Sequence, residues 1–254
     1  MPERCREGCK LGAETSIKLY AVVGSWASMD LLRLCTRFSA LNKVVWSLES
    51  SKRVRLRELV LEAKKSCKAR SKLFECLAAT LVKASKRVAG VALDGGCGSG
   101  FMASALRSAG FRGLILCIDS SPAMAWVARR FSSCDDVVVA DLNRVPLRSG
   151  CVSLALLGGV IHENDLRPLA NEIGRVCRRG ALLIAIDSAT RGLPSKLQRV
   201  LRNLLHKKLR VAEVPHRLED VEHALKLRGF ANAALAVFSS TPITSRFVGV
   251  WIRK

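Results

Sequence analysis

The chain has 254 residues, enough for one α/β domain of ordinary size with a helical extension, or for two small domains. Hydrophobic residues make up 49% and charged residues 25%, which supports a large core and excludes wholesale disorder. The formal net charge of +21 favours anionic partners such as RNA, DNA, an acidic membrane surface or an anionic small substrate. A basic surface that is merely solvated accounts for the charge equally well.

Ile17 to Ala27 (IKLYAVVGSWA) is apolar and loosely resembles a secretory leader, but Glu3, Glu7 and Glu14 do not suit a positive leader. A helix, or a start at Met29 with residues 1–28 outside the native protein, is the preferred reading. No run reaches the length of a membrane span.

Residues 29–87 read as helices. Leu31, Leu34, Phe38, Leu41, Val45 and Leu48 recur every three or four positions, as do Leu56, Leu59, Val60 and Ala63, then Leu73, Leu77 and Leu81. The polar faces are basic, with Lys64, Lys65, Lys68, Arg70 and Lys72 among them. Residues 1–87 are therefore expected to form a basic helical extension, and 88–254 a second domain.

From there strands and helices alternate. Val88 to Leu93 is a short apolar strand followed by a glycine turn and a helix near 99–109. Gly113 to Ile118 is a second strand. Pro122 suits the first turn of the next helix, with Ser120 or Ser121 as cap. Val137 to Ala140 and Val152 to Leu157 are the third and fourth strands, a helix follows near 165–178, and Ala181 to Ile186 is the fifth. Such alternation implies a mainly parallel sheet with helices on both faces. Residues 191–214 read as a basic, Leu-rich helical insertion, and a helix near 217–228 ends at Gly229. Strands near 231–238 and 246–252 are joined by a link that suits only antiparallel neighbours.

There are 10 cysteines. Cys97, Cys117, Cys151 and Cys177 lie in core or core-adjacent stretches, where they act as small apolar residues. Cys5 and Cys9 have no second pair at ligand spacing, so no metal site is expected. The set reads as free thiols in a reducing cytoplasm. The single Gln198 and heavy Arg use are compatible with a hot habitat, in which case some thiols would be paired.

The strongest signal is Val91-Ala-Leu-Asp94-Gly95-Gly96-Cys97-Gly98-Ser99-Gly100, a buried strand that ends in an acid and runs into a glycine turn opening a helix. Gly98-Ser-Gly100-Phe-Met-Ala103 also fits a dinucleotide fingerprint, with Asp119 about 20 residues on. Asp94 separates the two cofactors. A carboxylate beside a helix N-terminus would repel a pyrophosphate, whereas S-adenosyl-L-methionine brings an ammonium and a sulfonium and no phosphate. Asp119, ending the second strand before Ser120, can accept two hydrogen bonds from ribose hydroxyls, or can simply cap a helix. Asp141 after the third strand can accept from the adenine amine, with the Leu142 amide nearby. Taken alone, Asp141 reads as a turn residue.

In this order the blocks resemble the class I methyltransferases, closest to the type-11 group that includes the ubiquinone/menaquinone C-methyltransferases. Further matches are Gly159-Val-Ile-His162-Glu163, Glu172-Ile-Gly-Arg175-Val176-Cys-Arg-Arg-Gly180 and Arg228-Gly229-Phe230. The resemblance covers roughly residues 88–254. It implies a Rossmann-like, seven-stranded, mostly parallel sheet with an antiparallel C-terminal hairpin. It also implies S-adenosylmethionine as methyl donor, held by Asp94, Gly96, Cys97, Gly98, Gly100, Asp119, Ser120, Asp141 and Leu142. Gly95 departs from the group's usual branched apolar residue, Val152-Ser153 from its Phe-Asp pair, and Arg178-Arg179-Gly180 from its Lys-Pro-Gly-Gly turn.

A sulfonium donor is already activated, so the protein chiefly aligns the reactants and excludes water. His162 and Glu163 follow the fourth strand, at the carboxyl edge where such sheets bind ligands. His162 is the candidate for positioning or deprotonating the acceptor, against a histidine that only packs locally. His216 and His223 read as surface residues. No Asn-Pro-Pro-aromatic block follows the fourth strand, which weakens methylation of exocyclic base amines. Aromatic residues make up only 5%, so base-stacking platforms are scarce. A small-molecule or lipid-like acceptor therefore ranks first and RNA second. A non-catalytic S-adenosylmethionine-binding protein and an NAD-linked dehydrogenase are the competing classes. The expected location is cytoplasmic, with the basic apolar segments able to lie against an anionic membrane.

Overall fold

The computed structural model describes residues 31–50, 55–190, 215–239 and 244–254. The expectations for residues 1–28 and for the 191–214 insertion fall outside these. The described helices are α1 (Leu31–Glu49), α2 (Leu56–Lys68), α3 (Ser71–Arg87), α4 (Phe101–Ser108), α5 (Pro122–Phe131), α6 (Leu166–Val176) and α7 (Leu218–Lys226). The strands are β1 (Val91–Gly95), β2 (Leu114–Asp119), β3 (Asp136–Val139), β4 (Val152–Gly158), β5 (Cys177–Thr190), β6 (Phe230–Ser239) and β7 (Thr244–Arg253). They form one seven-stranded sheet in the order β3-β2-β1-β4-β5-β7-β6. β1 runs parallel to β4, β4 to β5 and β2 to β3, while β7 is antiparallel to both β5 and β6. The mostly parallel sheet closed by an antiparallel hairpin is thus the fold the alternation pattern predicts.

The chain divides into two compact units, Met1–Ala89 with Cys97–Asp141, and Gly90–Gly96 with Leu142–Lys254. In the first unit the heptad-like spacing of α1 does what it predicts. Leu34, Phe38, Leu41 and Val45 are buried together with Leu59 of α2 and with Ala123, Met124, Val127 and Phe131 of α5. Phe101 adds edge-on ring contacts to Phe38 at 6.4 Å and to Phe74 at 5.7 Å, geometries that the ring quadrupole favours. Ser121 is the cap of α5: its side chain accepts from the Met124 amide, and Pro122 occupies the first turn, where its missing N–H costs nothing.

The cysteines require a correction. Cys35 of α1 is bonded to Cys67 of α2, and Cys117 of β2 to Cys134 before β3, with Cα separations of 6.0 and 5.9 Å. Cys117 is buried as expected but as half of a disulfide. Spacing along the chain does not mark this pairing, because the helical packing that brings positions 32 apart together is a tertiary fact. Cys97 and Cys177 are buried and stand outside both disulfides. Burial pushes the Cys177 thiol up to about 12, which makes it inert as a nucleophile.

In the second unit the first strand begins at Val91, three residues later than the apolar run suggests. Val88 instead closes α3, its amide bonding the Ala84 carbonyl. The register between β1 and β4 shifts between Val91 and Ala92. Ser153 sits at that irregularity, buried, and a side chain on Gly90 would meet its Oγ at 2.8 Å. β5 is longer than expected, since nine pairs with β7 carry it to Thr190.

Candidate functional site

In the first unit, Gly98 and Gly100 have φ of +53° and +89°, which L side chains rarely adopt, so these turn positions need glycine. The turn is tied to the end of β2. The Cys97 amide donates to the Ile118 carbonyl at 2.9 Å, and the Gly98 amide donates to Asp119 Oδ2 at 2.8 Å. The Ser121 amide donates to Asp119 Oδ1 at 2.9 Å, so both carboxylate oxygens are held in fixed directions. The Ala140 amide donates to the Asp119 carbonyl at 3.0 Å, which places the exposed Asp141 one residue beyond the same point. Cys97, Gly98, Gly100, Asp119, Ser120 and Asp141 are thus gathered at the carboxyl ends of β2 and β3. The helix-capping role of the alternative reading falls to Ser121, and Asp119 keeps further acceptor capacity, because each carboxylate oxygen can take more than one hydrogen bond.

Asn42 belongs to this group, and the sequence reading missed it. Its Oδ1 accepts from the Ser99 amide at 3.0 Å, while the Ser99 hydroxyl donates to the Phe38 carbonyl at 3.0 Å. A methyl group at Gly98 would come within 3.2 Å of the Asn42 amide nitrogen. The one available signal was a polar residue beside buried Leu41 in an otherwise apolar stripe. A side chain seated on an amide at the entrance to α4 also bears on the choice of cofactor. A pyrophosphate would need such amides, whereas a ligand without phosphate does not.

In the second unit, Asp94 is buried as the penultimate residue of β1, before Gly95 and Gly96. Gly95 explains its own departure from the family pattern. A side chain there would meet Leu142 Cδ2 at 2.9 Å and Leu157 Cδ2 at 3.2 Å, so Leu142 fills the space a branched residue would occupy. Gly96 has φ of +63° and lies so close to Val160 that an added Cβ would overlap that side chain. Val160 introduces the short 3-10 helix Ile161–Glu163, so His162 lies two residues from the contact with the glycine turn.

His162 Nδ1 is 2.6 Å from Asp187 Oδ1, and its Nε2 is 3.9 Å from Glu163 Oε1. The Asp187 side chain is 1% exposed and also accepts from the amides of Ile161 at 2.7 Å and Ser188 at 2.6 Å. Asp187 was not among the expected site residues. It ends the buried stretch of β5 read from sequence, and no motif marks it. His216 corrects another expectation: it is half-buried, with Nε2 at 2.8 Å from the Asn164 carbonyl, while His223 is exposed as read. Among the described residues no cluster of His, Cys, Asp or Glu could hold a metal ion.

The comparisons with known proteins meet this geometry. The family described as "Methyltransferase domain" matches residues 93–185. Residues 93–185 are a methyltransferase domain. No curated protein matches the chain. Solved structures do. The geranyl diphosphate C-methyltransferase of Streptomyces coelicolor A3(2) is similar with a TM-score of 0.58 at 16% identity, over 80% of this chain and 85% of that one. A geranyl diphosphate methyltransferase in complex with S-adenosylmethionine gives 0.57 at 15%, over 70% and 85%. The PH0226 protein of Pyrococcus horikoshii OT3 gives 0.53 at 20%, over 73% and 91%. These likenesses concern the fold. The methyltransferase domain spans Asp94, the glycine turn, Asp119, Asp141 and His162. Its methyl donor is S-adenosylmethionine. Among the described residues no helix is long and apolar enough to cross a membrane.

Proposed function

We propose that the chain transfers a methyl group from S-adenosylmethionine to a small-molecule or lipid-like acceptor. The observation that carries the reading is Asp119, whose two oxygens are aimed by the Gly98 and Ser121 amides. A carboxylate oriented in this way suits a vicinal diol, and ribose supplies one. Asp141 and the Leu142 amide take the adenine edge. Asp94 and the backbone of Gly96, Cys97, Gly98 and Gly100 take the charged methionine part, and Ser120 lies beside the ribose. The bound donor supplies a methyl group on a positive sulfur, already activated for in-line displacement. His162 and Glu163 orient the acceptor and receive its proton.

The net charge of +21 suits an anionic acceptor. The solved structures similar to this chain that act on geranyl diphosphate add an anionic lipid to the acceptors to try, beside the quinone-type acceptor that the sequence resemblance suggests. RNA remains the second acceptor class, and its mark would be binding that falls steeply with salt. The test is calorimetric titration with S-adenosylmethionine and, separately, NAD. Micromolar binding of S-adenosylmethionine alone, lost in Asp119→Ala, is the expected result. NAD binding in its place would move the chain to the dehydrogenases. Binding of S-adenosylmethionine with no transfer to lipid, small-molecule or RNA acceptors would make it a non-catalytic binder.

A further inference from the structure

We propose that Asp187 is a positioning residue that fixes His162 as a base, so that the acceptor is a hydroxyl compound, a phenol above all, whose oxygen must lose its proton. This rests on the methyltransferase reading above and adds to it a residue and a substrate class. The argument begins with the cost of the carboxylate. Asp187 is buried, and an ionised carboxylate survives burial only when it is well hydrogen-bonded. Four donors surround it. The amides of Ile161 and His162 reach Oδ2 at 2.7 and 3.4 Å, and the Ser188 amide and His162 Nδ1 reach Oδ1, each at 2.6 Å. An ionised carboxylate can only accept, so His162 must place its proton on Nδ1. In the neutral ring the lone pair is then on Nε2.

The three amides alone would serve a purely structural role, bracing the Ile161–Glu163 turn against β5. The imidazole contact goes further, because it selects one tautomer and one ring orientation. Position agrees with purpose. Gly158 pairs with Ile186, so Asp187 is the first residue of β5 past the last pair with β4, beside the turn carrying His162 that leaves the carboxyl end of β4, and Val160 packs on the glycine turn after Asp94. His216 offers no such base, since its Nε2 is directed at the Asn164 carbonyl. A neutral amine attacks a methyl sulfonium with its own lone pair, and an alkene has no proton to lose beforehand. A hydroxyl is the acceptor that gains most from a base. In the step, the O–H proton passes to His162 Nε2 and the oxygen forms the new bond to the methyl carbon. The carbon–sulfur bond breaks with its electron pair left on sulfur, and the imidazolium then returns its proton to water.

The experiment uses the full chain with 15N-labelled histidine, alone and with S-adenosylhomocysteine. Long-range proton–nitrogen correlations should show His162 protonated at Nδ1 and not at Nε2. In Asp187→Ala, which removes the acceptor opposite Nδ1, the preference for that tautomer should be lost. A wild-type ring protonated at Nε2, or a folded Asp187→Ala with an unchanged tautomer, overturns the role of Asp187. Transfer of labelled methyl is then read with phenol and with 4-nitrophenol, which ionises without help. Asp187→Ala should slow transfer to phenol about 10²-fold, and to 4-nitrophenol less than about threefold, as expected for a lost general base. Equal losses on both phenols overturn the base, and transfer to neither by a wild type that binds S-adenosylmethionine overturns the acceptor class. Failure of the wild type to bind S-adenosylmethionine strikes instead at the methyltransferase reading, while the tautomer still judges Asp187.

Discussion

The two compact units hold their shape by different means. The unit containing Met1–Ala89 and Cys97–Asp141 has both disulfides, one joining α1 to α2 and one bridging β2 to the approach to β3. The other unit has only free thiols among its described residues, Cys151 and Cys177, and relies on a nine-pair antiparallel ladder between β5 and β7. The contrast follows from composition. α2 and α3 carry dense basic faces whose like charges oppose close packing, whereas β4 and β5 are nearly continuous runs of buried apolar residues. A cross-link offsets what the helical unit lacks in cohesion.

Reduction is the strongest way to break this comparison. Closing loops with sequence separations of 32 and 17 is worth about 3–4 kcal/mol each by chain entropy. Under a reducing agent, hydrogen exchange should quicken across α1, α2 and β2 while β5 and β7 keep their protection. Equal quickening in both units would show that the cross-links serve the whole chain and that the contrast is false.

The glycine turn sharpens the comparison at the residue level. Gly96 combines positive φ with contact against Val160, whereas Gly159 has φ of +73° and open space around it. Gly96→Ala should cost about 2–4 kcal/mol, the sum of backbone strain and overlap, and Gly159→Ala only the strain, about 1–2 kcal/mol. Thermal unfolding of the two variants measures the difference. Matching shifts would mean that Val160 yields and that the turn is looser than its contacts.

Asp119→Ala comes next in size. On the proposed role it removes charge-assisted hydrogen bonds to the donor, so affinity for S-adenosylmethionine should fall by about 1.5–3 kcal/mol, roughly ten- to a hundredfold. Asp187→Ala, in the other unit, should leave that affinity within about threefold, because it acts on the acceptor side. Comparable losses of affinity in both variants would dissolve the division of labour between donor-side and acceptor-side carboxylates.

The two carboxylates also show what a sequence can reveal. Asp119 was legible because it ends a short apolar strand about 20 residues after a glycine turn, a spacing set by one helix and one strand. Asp187 lies inside β5, and the residue that gives it meaning, His162, lies 25 positions away and meets it only when β4 and β5 pair. Asn42 was hidden for the same reason, its partner Ser99 being 57 residues on. The mainly parallel sheet with an antiparallel return was legible from alternation, since parallel neighbours require intervening helices and a short link permits only an antiparallel return. Cys35 and Cys67 were not, because cysteine spacing carries no information about which helix faces meet.

The smallest effect distinguishes a surface clamp from these buried contacts. Arg175 grips Glu172 through Nε at 2.9 Å and Nη2 at 2.7 Å, and also donates to the carbonyls of Val145 and Leu147. The Val145 amide donates to Glu172 Oε1 at 2.8 Å, so the pair fastens the loop that follows Leu142. The Arg175 hydrogen bond, opposed by burial and helped by the charge of Arg175 and the Val145 amide, holds the Glu172 carboxyl below its ordinary 4.5. A lowered folded value means that the stabilisation is complete above pH 4.5 and disappears as pH falls through the folded value. Solvent screening limits it to about 1 kcal/mol or less. Glu172→Gln should therefore unfold a few degrees below wild type at neutral pH, with the gap closing as the solution is acidified toward pH 3. A gap that persists in acid would mean that the loop is held by the hydrogen bonds of Arg175 to the two carbonyls rather than by the ion pair, and the clamp would then resemble the uncharged ladder of β5 and β7 more than a charge-dependent contact.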